Sequence, residues 1–255
     1  MTLWQDVLIL VAGIAAGTIN TVVGSGTLIT FPTLVALGLP PVTANVTNTV
    51  GLFPGSISGA IGYRAELKGQ LPRLVRLGSA SALGGIGGAL LLLVLPSAAF
   101  DTIVPVLILL GVVLVVLGPR ISRRVAARAE SGGGLPANGV WWVWPAVALT
   151  GVYGGYFGAA QGVLLMAVLG IGVADTMQRH NATKNVLAAI VNAIAAVVFV
   201  FVAHVDWKVA AILAVGSIMG GQLGATVGRR LPPSALRGVI VVVGVVAIGA
   251  FVLRH

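Results

Sequence analysis

Charge is what this chain lacks most. Only 8% of its 255 residues are charged, against about 25% in a soluble globular domain. That is too little to cover a water-facing surface. Acids are the scarcest: Asp6, Glu66, Asp101, Glu130, Asp175 and Asp206 are the whole set. All fall in expected loops or at helix ends. Proton- and cation-coupled carriers usually hold a carboxylate inside the membrane, and none is expected there in this chain. Cysteine is absent, which excludes disulfides, thiolate metal sites and cysteine chemistry. An intramembrane enzyme needs His, Asp or Glu clustered near a reactive centre. No such cluster is visible, so the chain reads as a non-enzyme with no catalytic residues, no metal and no cofactor. His180 reads either as a titrating group or, at a helix end, as interfacial, and His204 and His255 read as peripheral.

What is present is apolar: 58% of the residues are hydrophobic. Continuous apolar runs of about 17–25 residues recur, the length a helix needs to cross a bilayer. A transmembrane barrel would instead alternate over segments of about ten residues. The fold class is therefore an all-α polytopic membrane protein with the lipid bilayer as its surroundings. The net charge of +9 then belongs to cytoplasmic loops rather than to nucleic-acid binding. The first segment, MTLWQDVLILVAGIAAG, has no basic stretch ahead of its apolar run, so it reads as a retained span and not a signal peptide.

The chain contains an internal repeat. At an offset of 136, Asn45, Thr47 and Val50 match Asn181, Thr183 and Val186. The same offset pairs Gly84, Gly85, Gly88 and Ala89 with Gly220, Gly221, Gly224 and Ala225, and Leu95-Pro96 with Leu231-Pro232. At offset 134, Gly17, Gly24 and Gly38 match Gly151, Gly158 and Gly172. This divides the chain into a first transmembrane repeat (1–119), a basic cytoplasmic linker (120–139) and a second transmembrane repeat (140–255). Each repeat reads as about five segments, eight to ten in all. The first has a Gly-interrupted pair over 3–23 and 27–38, then long helices over 44–63, 75–95 and 101–118. The second has 140–157 and 162–173, then 181–203, 208–228 and 234–253. Whether 27–38 and 162–173 cross the membrane or re-enter stays open, as does the oligomeric state.

Basic residues orient these segments. Arg64, Lys68, Arg73, Arg76, Arg120, Arg123, Arg124, Arg128, Arg179, Lys184, Arg229, Arg230 and Arg237 all fall on one side if the helices alternate. By the positive-inside rule that side is cytoplasmic, and both termini are outside. Trp141, Trp142 and Trp144 would then belong to the inner aromatic belt, and Trp4 and Trp207 to the outer one. Each unit crosses an odd number of times, so the two units are expected upside down relative to each other. Inverted repeats with broken segments at equivalent places characterise transporters whose site lies near the midplane.

Two polar hexapeptides, NVTNTV from Asn45 and NATKNV from Asn181, interrupt this apolar chain. Each is expected to begin a long helix. Helical spacing puts Asn45, Thr49, Leu52 and Ser56 on one face, and Asn181, Asn185, Ala188 and Asn192 on the equivalent face. Eleven residues of helix rise roughly 16 Å, so Ser56 and Asn192 are expected near mid-bilayer. Asn48 belongs to the first of these polar starts. The stripes serve either as helix caps and interhelical bonds or as a substrate path, which is the preferred reading. The broken segments are NTVVGSGTLITFP from Asn20 and YGGYFGAAQGVLL from Tyr153. Gly24, Gly26, Gly158 and Gly162 permit the breaks, and a short helix after a break offers amide N–H groups to an anion. Asn20, Ser25, Thr27, Tyr153 and Gln161 add side-chain hydrogen bonds. Lys184 is the candidate cation, or else it snorkels to the inner interface. The Gly84/Gly88 and Gly220/Gly224 pairs read as helix packing.

AGTINTVVGSGTLITFPTLVALGLPP in one half, and TGVYGGYFGAAQGVLLMAVLGIGVAD with NATKNVLAAIVNAIAAVVF in the other, resemble the sulfite exporter TauE/SafE family, also called the toluene-sulfonate uptake family. The resemblance covers about Val11 to Leu253. It implies a multi-pass transporter of the bacterial cytoplasmic (inner) membrane whose substrate is a small sulfur-containing anion, such as sulfite, a sulfonate or a related organosulfur compound. It implies a pathway at Gly24–Thr27 and Gly158–Gly162 together with the polar starts of the two long helices. Where relatives tend to carry runs of glycine, this chain has Ser25, Thr27, Ala159, Ala160 and Gln161. Without a carboxylate to couple a cation, export driven by the membrane potential is expected. The alternative is a carrier or channel for a neutral sulfur-containing metabolite or another small solute, with uptake as an option.

Overall fold

The computed structural model describes residues 2–130, 135–228, 238 and 240–242. Of the expected final helix over 234–253 only 238 and 240–242 are described, and these are helical; the rest of it lies outside the described residues, as do Arg229, Arg230, Arg237, Arg254 and His255. Among the described residues every regular element is helical. They are α1 (Leu3–Val22), α2 (Thr27–Ala36), α3 (Pro41–Gly62), α4 (Leu71–Val94), α5 (Ser97–Glu130), α6 (Val143–Tyr156), α7 (Gln161–Gly172), α8 (Met177–Val202) and α9 (Trp207–Leu223), followed by a π turn at Gly224–Gly228. By length and composition, α1, α4, α5 to Arg120, α8, and α9 with its continuation to Val227 are long and apolar enough to cross a membrane. α3 has 22 residues, but Asn45, Thr47, Asn48, Thr49, Ser56 and Ser58 make it more polar. α2 and α7 have 10 and 12 residues, hence about 15 and 18 Å of rise. Each traverses little more than half of a ~30 Å hydrocarbon core.

Local chemistry sets the helix ends. Thr2 and Gln5 form a reciprocal capping box at the start of α1. Thr176 caps α8 by accepting from the Arg179 amide, and Asp206 caps α9 through the Val209 amide. These signals displace two sequence expectations. α3 begins at Pro41, where proline suits a first helical turn, and α8 begins at Met177. The two polar hexapeptides therefore sit about one turn inside their helices instead of starting them. α4 likewise begins at Leu71, so Arg73 and Arg76 lie in its first turns and not in a loop. α5 continues to Glu130, so the basic stretch from Arg120 to Arg128 extends the helix expected over 101–118. At 34 residues, α5 rises about 51 Å, more than the hydrocarbon core.

Small residues bring the helices together. A Cβ on Gly84 would lie 2.1 Å from the Ala148 carbonyl oxygen, and one on Gly88 would lie 2.1 Å from that of Val152. The matching register shows that α4 and α6 run in the same direction. Gly13 and Gly17 of α1 meet Leu213 and Ser217 of α9, and Gly51 and Gly55 of α3 meet the same two residues. Thus α1, α3 and α9 share a direction. Gly78 and Gly85 of α4 meet Ile190 and Ile194 of α8, which puts α8 in line with α4 and α6. α3 and α8 cross in opposite senses: Asn192 meets Ser56, while Asp206, just past α8, meets Thr47. Outward faces are apolar, with Leu83, Val106 and Phe201 exposed, as lipid contact requires. Trp4, Trp141 and Trp207 are exposed at helix ends.

Lipid gives helix association no hydrophobic drive, so close packing of this kind holds the bundle. Gly88→Val should lower thermal stability in detergent by the equivalent of about 1–3 kcal/mol or more, measured by fluorescence-detected unfolding. Gly87→Ala should be near neutral, because its Cβ would meet only the Val152 Cγ2 methyl, at 3.7 Å.

Candidate functional site

The helix breaks meet at the centre of the bundle. The Gly162 amide donates to the Gly24 carbonyl at 3.0 Å, and a Cβ on Gly24 would lie 2.4 Å from the Gly162 Cα. Gly24 has φ +90°, a left-handed backbone that glycine adopts without steric penalty. In the second break Ala160 is left-handed at φ 61°, at a cost of roughly 1–2 kcal/mol for a residue with a side chain. Phe31 of α2 packs edge-on against Phe157 beyond α6, with centroids 5.1 Å apart, and against Phe100 of α5. This aromatic cluster fixes the first short helix against the second break.

A helix break buried inside the bundle strands backbone carbonyls that water cannot reach. Here the polar hexapeptides satisfy them. The Asn45 amide donates to the Tyr156 carbonyl at the end of α6, at 2.9 Å. At the end of α1, the Thr21 carbonyl accepts from Asn181 at 3.3 Å, Lys184 at 3.1 Å and Asn185 at 3.3 Å. Lys184 Nζ also donates to the Asn20 carbonyl at 3.2 Å. A cation at a helix C-terminus is favoured by the helix dipole. Lys184 is 0% exposed, so it does not snorkel to the interface.

Beside these contacts lies a cavity of about 30 Å³. That is room for two or three water-sized positions, hence for a solute of a few heavy atoms. Its lining includes Asn20, Gly24, Thr27, Ser56, Gly158, Gln161, Gly162, Lys184, Asn185 and Asn192 from the sequence reading, plus Thr21 and Ala188. Thr21 carried no signal of its own, because it acts through its backbone carbonyl. Ala188 lies on the expected α8 face but has no polar group. Among the described residues no acid lines the cavity. Gln161 is 3% exposed and its Nε2 has no protein partner, which leaves a buried donor available to a ligand. Asn192 donates to Ser56 at 2.8 Å, joining α8 to α3 at one wall.

The remaining candidates stand beside the cavity. The Gly26 amide donates to the Asn20 side chain at 2.7 Å. The Asn48 carboxamide is engaged by Thr30 and by Thr27, and Thr49 donates to the Asn45 carbonyl. Tyr153 donates to the Ala159 carbonyl, and Ser25 is fully buried in the first break. The amides of Gly26, Leu28, Ile29, Thr30, Gly162 and Val163 all bond to protein acceptors. The amide donors expected at the short-helix starts are thus largely taken, and the donors at the cavity are side chains.

A polar cluster anchors the start of α8, and with it Lys184. Arg73 pairs with Asp175 at 2.6 Å, and Arg179 pairs with it at 2.8 Å. Arg73 also donates to Gln70 at 2.7 Å, and Thr183 donates to Gln70 at 2.8 Å. Burial pushes the Asp175 carboxyl up, but the hydrogen bonds from Arg73 and Arg179 outweigh it and hold it below its ordinary 3.8. At the other end Lys208 pairs with Asp6 at 2.7 Å.

Helices that cross a membrane around a buried polar cavity define a multi-pass transport protein. The chain belongs to the sulfite exporter TauE/SafE family, whose model matches residues 9–251. It is 28% identical over 249 residues to the probable membrane transporter protein ORF9 of Sinorhizobium sp., covering 92% of this chain and 87% of that one. It is 26% identical over 232 residues to the probable membrane transporter protein YfcA of Escherichia coli K12, covering 91% and 83%. A probable membrane transporter protein of Haemophilus influenzae is 24% identical over 232 residues, covering 90% and 88%. The protein is an inner-membrane transporter and not an enzyme.

Asp175→Asn should destabilise the protein by about 3–5 kcal/mol at neutral pH, because it leaves the buried Arg73 without its counter-charge. A depressed carboxyl contributes its stability above the unfolded value and loses it as pH falls through the lower folded value. The gap in unfolding temperature between wild type and variant should therefore persist at pH 5 and close only below pH 3.8.

Proposed function

We propose that this transporter moves a small sulfur-containing anion out of the cell through the cavity at the helix breaks. The acid-free lining carries the reading: a fully buried lysine, an unpartnered Gln161 donor and further amide side chains surround a space the size of a few heavy atoms. Such a donor set suits an oxyanion and offers a metal cation no carboxylate. The other residues of the two breaks and polar stripes hold this wall in place. An inside-negative potential contributes about 2.3 kcal/mol per charge per 100 mV to anion efflux.

The helix directions support two inverted halves. Helices α1 and α6, α3 and α8, and α4 and α9 correspond at offsets of 134–136, and the members of each pair run in opposite directions. Ser56 and Asn192, separated by 136 positions, bond to each other, as residues on a two-fold axis do. With the basic residues inside, both α1–α2 and α6–α7 are re-entrant hairpins, and the N-terminus is outside. One observation favours a neutral solute instead: two backbone carbonyls already accept from Lys184 and offset its charge.

Flux of sulfite and small sulfonates into proteoliposomes, with the potential clamped by potassium and valinomycin, separates the readings. Saturable flux is expected, following the potential for sulfite as its dianion, and reduced at least tenfold in Lys184→Ala and Asn192→Ala. Potential-independent flux of a neutral sulfur compound, unaffected by Lys184→Ala, would establish the second reading.

A further inference from the structure

The proposed site holds a cation with no acid to balance it, and the hydrogen-bond count around that cation is informative. Lys184 Nζ meets two protein acceptors, the Asn20 and Thr21 carbonyls, at 3.2 and 3.1 Å. A neutral amine has two N–H groups to donate, and these two carbonyls take both. An ammonium has three, and among the described residues the third finds no protein acceptor. A buried charge without a counter-ion is costly, and lysine readily exchanges its proton in such a setting.

The neighbourhood supplies no other balance. The α1 acid, Asp6, is at the far end, paired with Lys208. Helices α2, α3, α4, α6, α7 and α9 contain no acid, and α4 adds only the cations Arg73 and Arg76. On α5, Asp101 lies in the second turn and Glu130 at the last residue. On α8 itself, His180 lies one turn before Lys184, and Asp175 beyond it is taken up by Arg73 and Arg179. The phenols of α6 are Tyr153, which donates to Ala159, and Tyr156.

We propose that Lys184 is the proton-binding site of the transport cycle, gaining one proton when the anion enters the cavity and losing it when the anion leaves. The anion accepts the third N–H, and the ammonium supplies the counter-charge. The balance is R–NH₂ + H⁺ + anion giving R–NH₃⁺·anion, with the proton drawn from the aqueous side the cavity faces. Coupling is reciprocal, so the proton tightens anion binding as the anion tightens proton binding. Moving the pair makes transport of a monoanion electroneutral and leaves one negative charge of a dianion for the potential to act on. Proton linkage then needs no intramembrane carboxylate.

This inference rests on the cavity being the anion site, and one experiment separates the two. Sulfite binding to the purified full-length protein would be followed by titration calorimetry in two buffers of different ionisation heat, at a pH where sulfite itself carries no proton. Wild type should take up about one proton per anion, and its affinity should fall about tenfold per pH unit once the free lysine is neutral. Lys184→Gln, shown to be folded by its unfolding temperature, should take up none and lose the pH slope. Binding to wild type without proton uptake would overturn the inference and leave the anion site standing, whether or not the variant folds. Proton uptake that survives in Lys184→Gln would overturn it too. Folded wild type that binds no sulfite or small sulfonate at any pH would overturn both.

Discussion

A helix that stops in the interior of a bundle must find partners for its last carbonyls. The rest of this structure follows from that need. α1 ends at Val22 and α6 at Tyr156, both within the bundle. In water their terminal carbonyls would be solvated, but buried away from water each unsatisfied group costs about 1–3 kcal/mol. The donors come from across the molecule: Asn45 on α3 serves α6, while Asn181, Lys184 and Asn185 on α8 serve α1. The polar hexapeptides are caps for helices more than a hundred residues away in sequence. That is why a greasy chain carries them twice.

The same arrangement creates the chemistry. Lysine suits the negative end of α1, yet neutral asparagine amides would have served as well, and at the equivalent place in α3 the chain has Asn48. Lys184 is thus more than a cap requires. It leaves one wall of the cavity able to respond to charge, while the Asn48 side is closed by Thr27 and Thr30. The close glycine contacts matter for a related reason. They bring backbones near enough for Asn192 to reach Ser56 and for one break to bond to the other.

Much of the architecture was legible from sequence because apolar length is a direct requirement of the bilayer. Eight of the nine described helices, α1–α4 and α6–α9, fall within a few residues of the expected positions, and α5 runs twelve residues past its expected end. The errors arose where local chemistry outranked hydropathy. Pro41 and Thr176 start their helices ahead of the polar hexapeptides, and α5 continues into its arginines because Arg, Ala and Glu are good helix formers. In the cavity, Asn185, Ala188 and Asn192 of α8 were visible as a helical face, and Lys184 as the candidate cation beside it. Asn45, Asn48 and Thr49 carried the same pattern but turn to protein partners instead. Thr21 contributes a carbonyl, and no side-chain pattern announces a carbonyl.

Sequence by itself determined the membrane setting, the helical class, the doubled pattern and the scarcity of acid, because composition and periodicity are local quantities. Tertiary structure decided which polar residues meet. Whether an asparagine caps its own helix, bonds a distant one or lines a cavity depends on contacts of about 3 Å between segments far apart in the chain. The placement of Lys184, fully buried against two carbonyls and beside an acid-free cavity, is a fact of that packing.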